Sequence, residues 1–228
     1  LVAVADGMGG HAAGEVASRL AIRTLSEQAE VFTRDGIDVD SADDLFATSQ
    51  EVIDATISEY SIENPELAGM GTTLSALSLR GSAVAMLHIG DSRVYRLRGN
   101  GLEQLSVDHT VIQELLTQGT ITEAEIATHP QRSVLTQVLM GDGRNKPTLS
   151  IYDVKVEDRF ILCSDGLNTA ISDKEIKSIV KGKARGAAVD ALVDAAYING
   201  APDNVTVIVA DVLTNDIKEP LTYLGAAK

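Results

Sequence analysis

The chain of 228 residues has no tryptophan and a single cysteine, and three phenylalanines and five tyrosines make up its whole aromatic complement. A lone Cys163 cannot close an internal disulfide, so a disulfide-stapled scaffold is excluded and a reducing compartment, the cytoplasm, is the expected setting. With so few aromatics the core has to be assembled from Val, Leu, Ile and Ala. Positive charge is scarce as well: 19 Lys+Arg stand against 33 Asp+Glu, a net charge of −14. Duplex binding relies on Lys and Arg against phosphates, so nucleic acid is excluded as a partner. Cationic partners are favoured instead, and divalent metals are one such class. No apolar run approaches the roughly 20 residues of a membrane helix, and no basic n-region marks a signal peptide. Repeats, low-complexity segments and linkers are also missing. Residues 1–228 therefore read as one domain with a polar tail from Asn215. The chain opens inside an apolar run, Leu1-Val2-Ala3-Val4-Ala5, rather than at a methionine, so upstream residues are expected.

What is present is enough apolar material, 44% of residues, to bury a sizeable core. Aliphatic, β-branched runs bounded by Gly, Asp or Asn predict strands over Leu1–Ala5, Thr72–Leu79, Ala83–Ile89, Arg93–Arg98, Leu149–Val154, Arg159–Cys163 and Val205–Val212. Helical periodicity appears over Gly14–Glu30 and Ser41–Glu59, then Val111–Gln118, Thr122–Ala127, Asp173–Val180 and Ala187–Ala196. Ser172-x-x-Glu175 is a capping-box signature. Gly99-Asn100-Gly101 is a tight turn, which predicts that Ala83–Arg98 and Leu102–Leu105 share one antiparallel meander. Helices arrive in pairs between groups of strands. That argues for an α+β layered domain with antiparallel sheet rather than a doubly wound fold.

Several apolar strands begin or end at an aspartate beside a turn residue: Asp6-Gly7, Gly90-Asp91, Asp165-Gly166 and Asp203-Asn204. Taken singly, each is ordinary turn chemistry. Taken together, strand ends would hold four carboxylates on fixed backbone, where they repel and raise one another's pKa. Hard divalent cations between them make such clustering favourable, and oxygen ligands suit Mg²⁺ or Mn²⁺. No Cys or His cluster stands at zinc spacing.

In order along the chain, Asp6-Gly7-Met8-Gly9-Gly10-His11, Gly71-Thr72-Thr73, Gly90-Asp91-Ser92-Arg93, Ser164-Asp165-Gly166-Leu167 and Asp203-Asn204-Val205-Thr206 resemble the motifs of the PPM (PP2C-type) metal-dependent protein serine/threonine phosphatases. Asp108-His109 and His129-Pro130-x-Arg132-x-x-Leu135-Thr136 resemble the bacterial branch, and the likeness runs from Leu1 to about Leu213. It implies a four-layer α-β-β-α sandwich, two central antiparallel sheets flanked by helix pairs. It also implies two core metals, Mg²⁺ or Mn²⁺, and a weaker third. Asp6 would bridge the core pair with the Gly7 carbonyl on one ion, Asp165 and Asp203 would hold the other, and Asp91 would serve the third. The implied reaction is hydrolysis of phosphoserine and phosphothreonine by a metal-bridging water, without a covalent intermediate. His11 matches a histidine beside the site, a candidate to protonate the leaving oxygen. In eukaryotic relatives the proposed acid sits two residues after the bridging Asp, where this chain has Met8. The partners implied are phosphorylated proteins, serine/threonine kinases and their substrates among them, met by a monomer. A membrane tether beyond Lys228 is known in some bacterial relatives.

Two departures bear on function. The family's phosphate-gripping arginine lies upstream of Leu1, and Thr169 stands where an aspartate usually assists the third metal, so affinity there is expected to be lower. The reading from a different class is therefore a catalytically weak or inactive module that uses the fold to bind partners. A third reading is a regulator phosphatase acting on one phosphoserine of a sigma-factor control protein. Cys163 is expected to be a buried inert thiol and His88 a satisfied interior histidine. His109 and His129 are expected to anchor the segment between them, and Arg93 to pair with a local carboxylate. Thr117–Thr128 matches a flap beside the site, read either as a gate or as a surface helix pair. For Asn168 the sequence offers no account.

Overall fold

The computed structural model describes residues 1–33, 39–214 and 225–227. The polar tail expected from Asn215 falls almost wholly outside the described residues.

Strand β5 (Ala83–Ile89) shows why the molecule is layered, because both of its faces are apolar. Ala85, Leu87 and Ile89 join one core, and Val84 and Met86 join another. A strand of this kind must be covered on both sides. One cover is a helix layer, α1 (His11–Glu27) and, past the short α2 (Ala29–Thr33), α3 (Val39–Glu63), which contributes Ala17, Ala21, Phe46, Ile53 and Ile57. The other is a second sheet. There β9 (Arg159–Cys163) alternates in the same way, with Phe160 and Leu162 toward the first sheet and Ile161 and Cys163 toward a second helix layer. That layer holds α6 (Asp173–Val180) and α7 (Arg185–Ile198), with Ile176, Val180, Leu192 and Ala196 inward. Each fully buried Leu or Ile contributes about 1.5–3 kcal/mol.

The first sheet runs β1 (Val2–Val4), β4 (Leu74–Arg80), β5, β8 (Thr148–Asp153). The second runs β10 (Val207–Asp211), β9, β6 (Arg93–Arg98), β7 (Gly101–Gln104), and all pairings in both are antiparallel. A two-residue ribbon joins β2 (Gly7–Met8) to β3 (Gly71–Thr72). The Asn100 turn and the Ser172–Glu175 capping box form as expected, with Arg98 facing Gly101 and Ser172 N–H donating to Glu175 Oε2 at 2.9 Å.

Three expectations need correction. The single meander is split: β5 lies in the first sheet and β6 in the second, and the chain crosses between them at Gly90–Ser92. Thr72–Leu79 is broken at Thr73, whose backbone and hydroxyl turn aside to hold Asp6. Thr122–Ala127 is too short for a stable α-helix and winds instead as a 3-10 turn over Glu123–Thr128, capped by Thr122. The flap segment Thr117–Thr128 thus runs from the end of α4 (Val111–Thr117) through that turn and is mostly exposed. No helix among the described residues is long and apolar enough to cross a membrane.

The registers gather the motifs at one end of the sandwich. Val4 faces Ser75, next to Leu74, which faces Ile89; Arg93 faces Cys163, which faces Val207. The end of β1, the β5–β6 crossover, the end of β9 and the start of β10 therefore share one rim.

Candidate metal centre

Asp6 stands where β1 stops, and the Gly71-Thr72-Thr73 motif holds its backbone. Asp6 N–H donates to Thr73 Oγ1 at 3.0 Å, while its carbonyl accepts from Thr73 N–H at 2.8 Å and Thr72 Oγ1 at 3.0 Å. Thr73 Oγ1 also meets Ser92 Oγ at 2.8 Å, so one buried threonine ties the first carboxylate's strand to the turn bearing Asp91. Gly90 completes that contact. Its φ is +105°, and a Cβ there would stand 2.5 Å from Thr73 Cβ, so only glycine allows the approach.

His109 fastens the same turn from the other side. Its Nδ1 accepts from Gly90 N–H at 3.1 Å, and its own N–H donates to Gly90 O at 2.8 Å. His88 is fully buried between Ser75 Oγ, 2.9 Å from Nδ1, and Val107 O, 3.0 Å from Nε2; burial and then His109 push its pKa down to about 4. His88 is the satisfied interior histidine expected, and His109 anchors the turn. His129 makes a local contact two residues along the chain, its Nδ1 accepting from Gln131 N–H at 3.2 Å. Cys163 is likewise inert, its thiol pushed up to about 12 by burial.

Asp165 opens the one-turn α5 (Asp165–Asn168) at the end of β9. Ser164 links it to the loop carrying Asp203: Ser164 Oγ donates to Asn204 O at 3.1 Å and accepts from Thr206 N–H at 3.0 Å. Arg93 pairs with a local carboxylate as expected, reaching Asp108 Oδ1 from Nε at 3.0 Å and Oδ2 from a terminal nitrogen at 2.7 Å. The structure also gives Asn168 its reason. With its amide oriented by its neighbours, it accepts from Arg93 Nε at 3.2 Å and donates to Ser164 O at 3.1 Å. Thr169 Oγ1 is spent on the Asp165 carbonyl at 2.7 Å.

These supports bring all four aspartates together. Burial comes first in raising Asp6 to about 7, followed by the fields of Asp165, Asp203 and Asp91, and its carboxyl lies close enough to that of Asp165 to share a proton. Burial, then Asp165 and Asp108, raises Asp91 to about 7; burial, then Asp203, raises Asp165. A cavity of about 540 Å³ opens beside them, walled by Asp6, Gly7, Gly10, Glu15 and Asp203. Among the described residues no three acidic, histidine or cysteine side chains converge on one point as a finished cage would. The fields at Asp6 still place the four carboxylates as neighbours. A set of hard oxygen donors that resist ionising beside one another fits small divalent cations, which would relieve that repulsion. His11, the remaining candidate, is the first residue of α1, directly after Gly10.

Gly7 and Gly14 meet backbone to backbone. A Cβ on Gly7 would stand 1.8 Å from Gly14 O, and one on Gly14 would stand 2.5 Å from Gly7 O, the carbonyl assigned to a metal. In most helices Gly→Ala stabilises by roughly 1 kcal/mol. Here the sign reverses: Gly14→Ala is expected to destabilise by about 1–2 kcal/mol from overpacking, a fall in Tm of about 2–8 °C for a domain of this size. An unchanged or raised melting temperature would show that the contact relaxes freely.

Gly14, the threonine pair, Ser92 and Asn168 are functional supports that strand and helix patterns alone do not mark. The available signal is their place inside the ordered motifs, or, for Gly14, an isolated glycine in a helical run.

Residues 1–194 match the family model described as protein phosphatase 2C. The serine/threonine protein phosphatase PstP of Mycobacterium tuberculosis is 40% identical over 230 residues, covering all of this chain and 43% of that protein. This chain thus spans less than half the length of that curated relative. The serine/threonine phosphatase stp of Listeria monocytogenes is 36% identical over 216 residues, 92% of this chain and 84% of its own length. A crystal structure of the PstP catalytic domain in complex with two manganese ions is similar with a TM-score of 0.83 at 37% identity, covering 92% of this chain and 86% of that one.

Proposed function

The chain belongs to the protein phosphatase 2C family, and from that premise we propose that it is a Mg²⁺- or Mn²⁺-dependent phosphatase of phosphoserine and phosphothreonine in proteins. Its substrates would be phosphorylated proteins, kinases and their targets among them. One observation carries the reading. Asp6 feels the fields of three other carboxylates that come from separate strand ends of both sheets. A module that only bound partners would gain nothing from this mutual repulsion, which argues against the non-catalytic alternative.

Asp6, Asp165, Asp203 and the Gly7 carbonyl would hold two ions, and Asp91 a weaker third. Once bound, the ions supply a water of lowered pKa and neutralise charge on the phosphoryl oxygens. The chain's own residues do the rest. The threonine pair fixes Asp6, the Ser164 bridge fixes Asp165 against Asp203, and the Gly90–His109 clasp fixes Asp91. His11 would give its proton to the seryl or threonyl oxygen as the bond to phosphorus breaks.

Turnover of p-nitrophenyl phosphate and a phosphothreonine peptide by the full-length protein, with and without Mn²⁺, tests the assignment. Mn²⁺-dependent hydrolysis of both is expected. His11→Ala should slow the peptide about 10²-fold, as loss of a general acid does, and spare p-nitrophenyl phosphate, whose leaving group departs without a proton. Equal slowing of both would remove His11 from that role, and an inert protein at saturating Mn²⁺ would remove the phosphatase reading itself.

A further inference from the structure

Beside β2, whose Gly7 and Met8 directly follow Asp6, a second groove of about 430 Å³ is walled by Met8, Val134, Leu135, Val138 and Met140. We propose that this groove takes an apolar side chain of the substrate, flanking its phosphorylated residue; the proposal rests on the phosphatase reading above and adds a sequence preference to it.

Reach is the first argument. Met8 lies two residues beyond Asp6, at most about 7 Å of extended chain. An extended substrate peptide rises by the same amount per residue, so with its phosphate at the carboxylates it presents a side chain to the groove one to three positions away. Shape and chemistry are the second. A Cβ on Gly71 would stand 3.0 Å from Met140 Cγ and 3.5 Å from Met8 Cγ, so both methionines lie against β3 and give the groove an adaptable apolar surface. Among the described residues no charged side chain lines the groove, although 23% of the chain is charged. A charged occupant would be desolvated there without a partner, and the net charge of −14 further disfavours an acidic one.

The test uses phosphothreonine peptides differing at a single position, Leu or Asp, scanned over three residues on either side of the phosphothreonine. At one position Leu should exceed Asp about tenfold in kcat/KM, the range for one apolar side chain in a pocket. Val134 is 43% exposed, so Val134→Asp should fold normally. It should erase the preference while leaving Mn²⁺-dependent turnover of p-nitrophenyl phosphate unchanged. Equal turnover of all peptides, or a preference that survives in Val134→Asp, overturns the groove assignment and leaves the phosphatase reading standing. No Mn²⁺-dependent hydrolysis of any substrate overturns both.

Discussion

Asp6→Asn should abolish turnover by at least about 10³-fold, as removal of a centrally placed group that holds reacting charge does, while leaving the metal-free protein at least as stable as the wild type. The two effects have one cause. Asp6 is held by its backbone, through Thr73 and Thr72, and those bonds survive when the side chain becomes an amide of the same shape. What disappears is one negative charge among four. Asp6 is pushed up to about 7 by burial and by Asp165, Asp203 and Asp91, so near neutrality its carboxylate opposes the fold. An amide has no such opposition, but it is a poor ligand for a hard cation and cannot serve the role assigned to Asp6. Stability and activity trade against each other at this position, as is common where a site keeps unfavourable groups together. The measurement is a pair: kcat with saturating Mn²⁺, and Tm in chelator at pH 8. A variant that loses activity because it melts early would contradict the account as surely as one that retains activity.

The elements that could be read from the chain are those whose signals are local. β5, β6, β9 and α6 match their expected limits because each is a short apolar run between turn residues, or an amphipathic stretch behind a cap. The four aspartates are visible for the same reason, each sitting beside a glycine or asparagine where an aliphatic run starts or stops. What escaped is long-range. Nothing near Gly90 says that the chain leaves one sheet for the other there, because the choice is made by the cores on which Val94 and Met86 converge. Nothing near Thr73 says that its hydroxyl will receive a hydrogen bond from a residue 67 positions earlier. Asn168 gave no pattern because its partners, Arg93 on β6 and the Ser164 carbonyl just past the end of β9, come from separate parts of the chain. Gly14 reads as an ordinary helical glycine until β2 is placed against it.

Metal binding should change the dependence of stability on pH. Asp6 and Asp91 are each raised from about 3.8 to about 7 in the folded protein, and Asp165 is raised as well. For an acid raised on folding, the native state binds the proton more tightly than the unfolded chain. The stabilisation is then fully present below the unfolded value and is lost as pH rises through the folded one. Other groups act in the opposite direction: His88 and His109 are lowered, so below about 6.5 they withdraw stability as pH falls. Comparing the wild type with Asp6→Asn cancels those histidines, since both proteins carry them. In chelator, the melting temperature of Asp6→Asn relative to wild type should climb between about pH 4 and 7, the window set by the two pKa values of Asp6. Mn²⁺ at one hundred times its Kd should then add about 2.7 kcal/mol to the wild type, or about 5–11 °C at 2–4 °C per kcal/mol, and little to the variant. Its affinity should rise with pH over the same window, because each ion displaces protons from the carboxyls it joins. Calorimetry should resolve two strong sites and a weaker third, since Thr169 offers a hydroxyl already committed to the Asp165 carbonyl. A metal-free difference that stays flat across that window, or a Mn²⁺ shift equal in both proteins, would mean that the four aspartates are not the group the cations hold together.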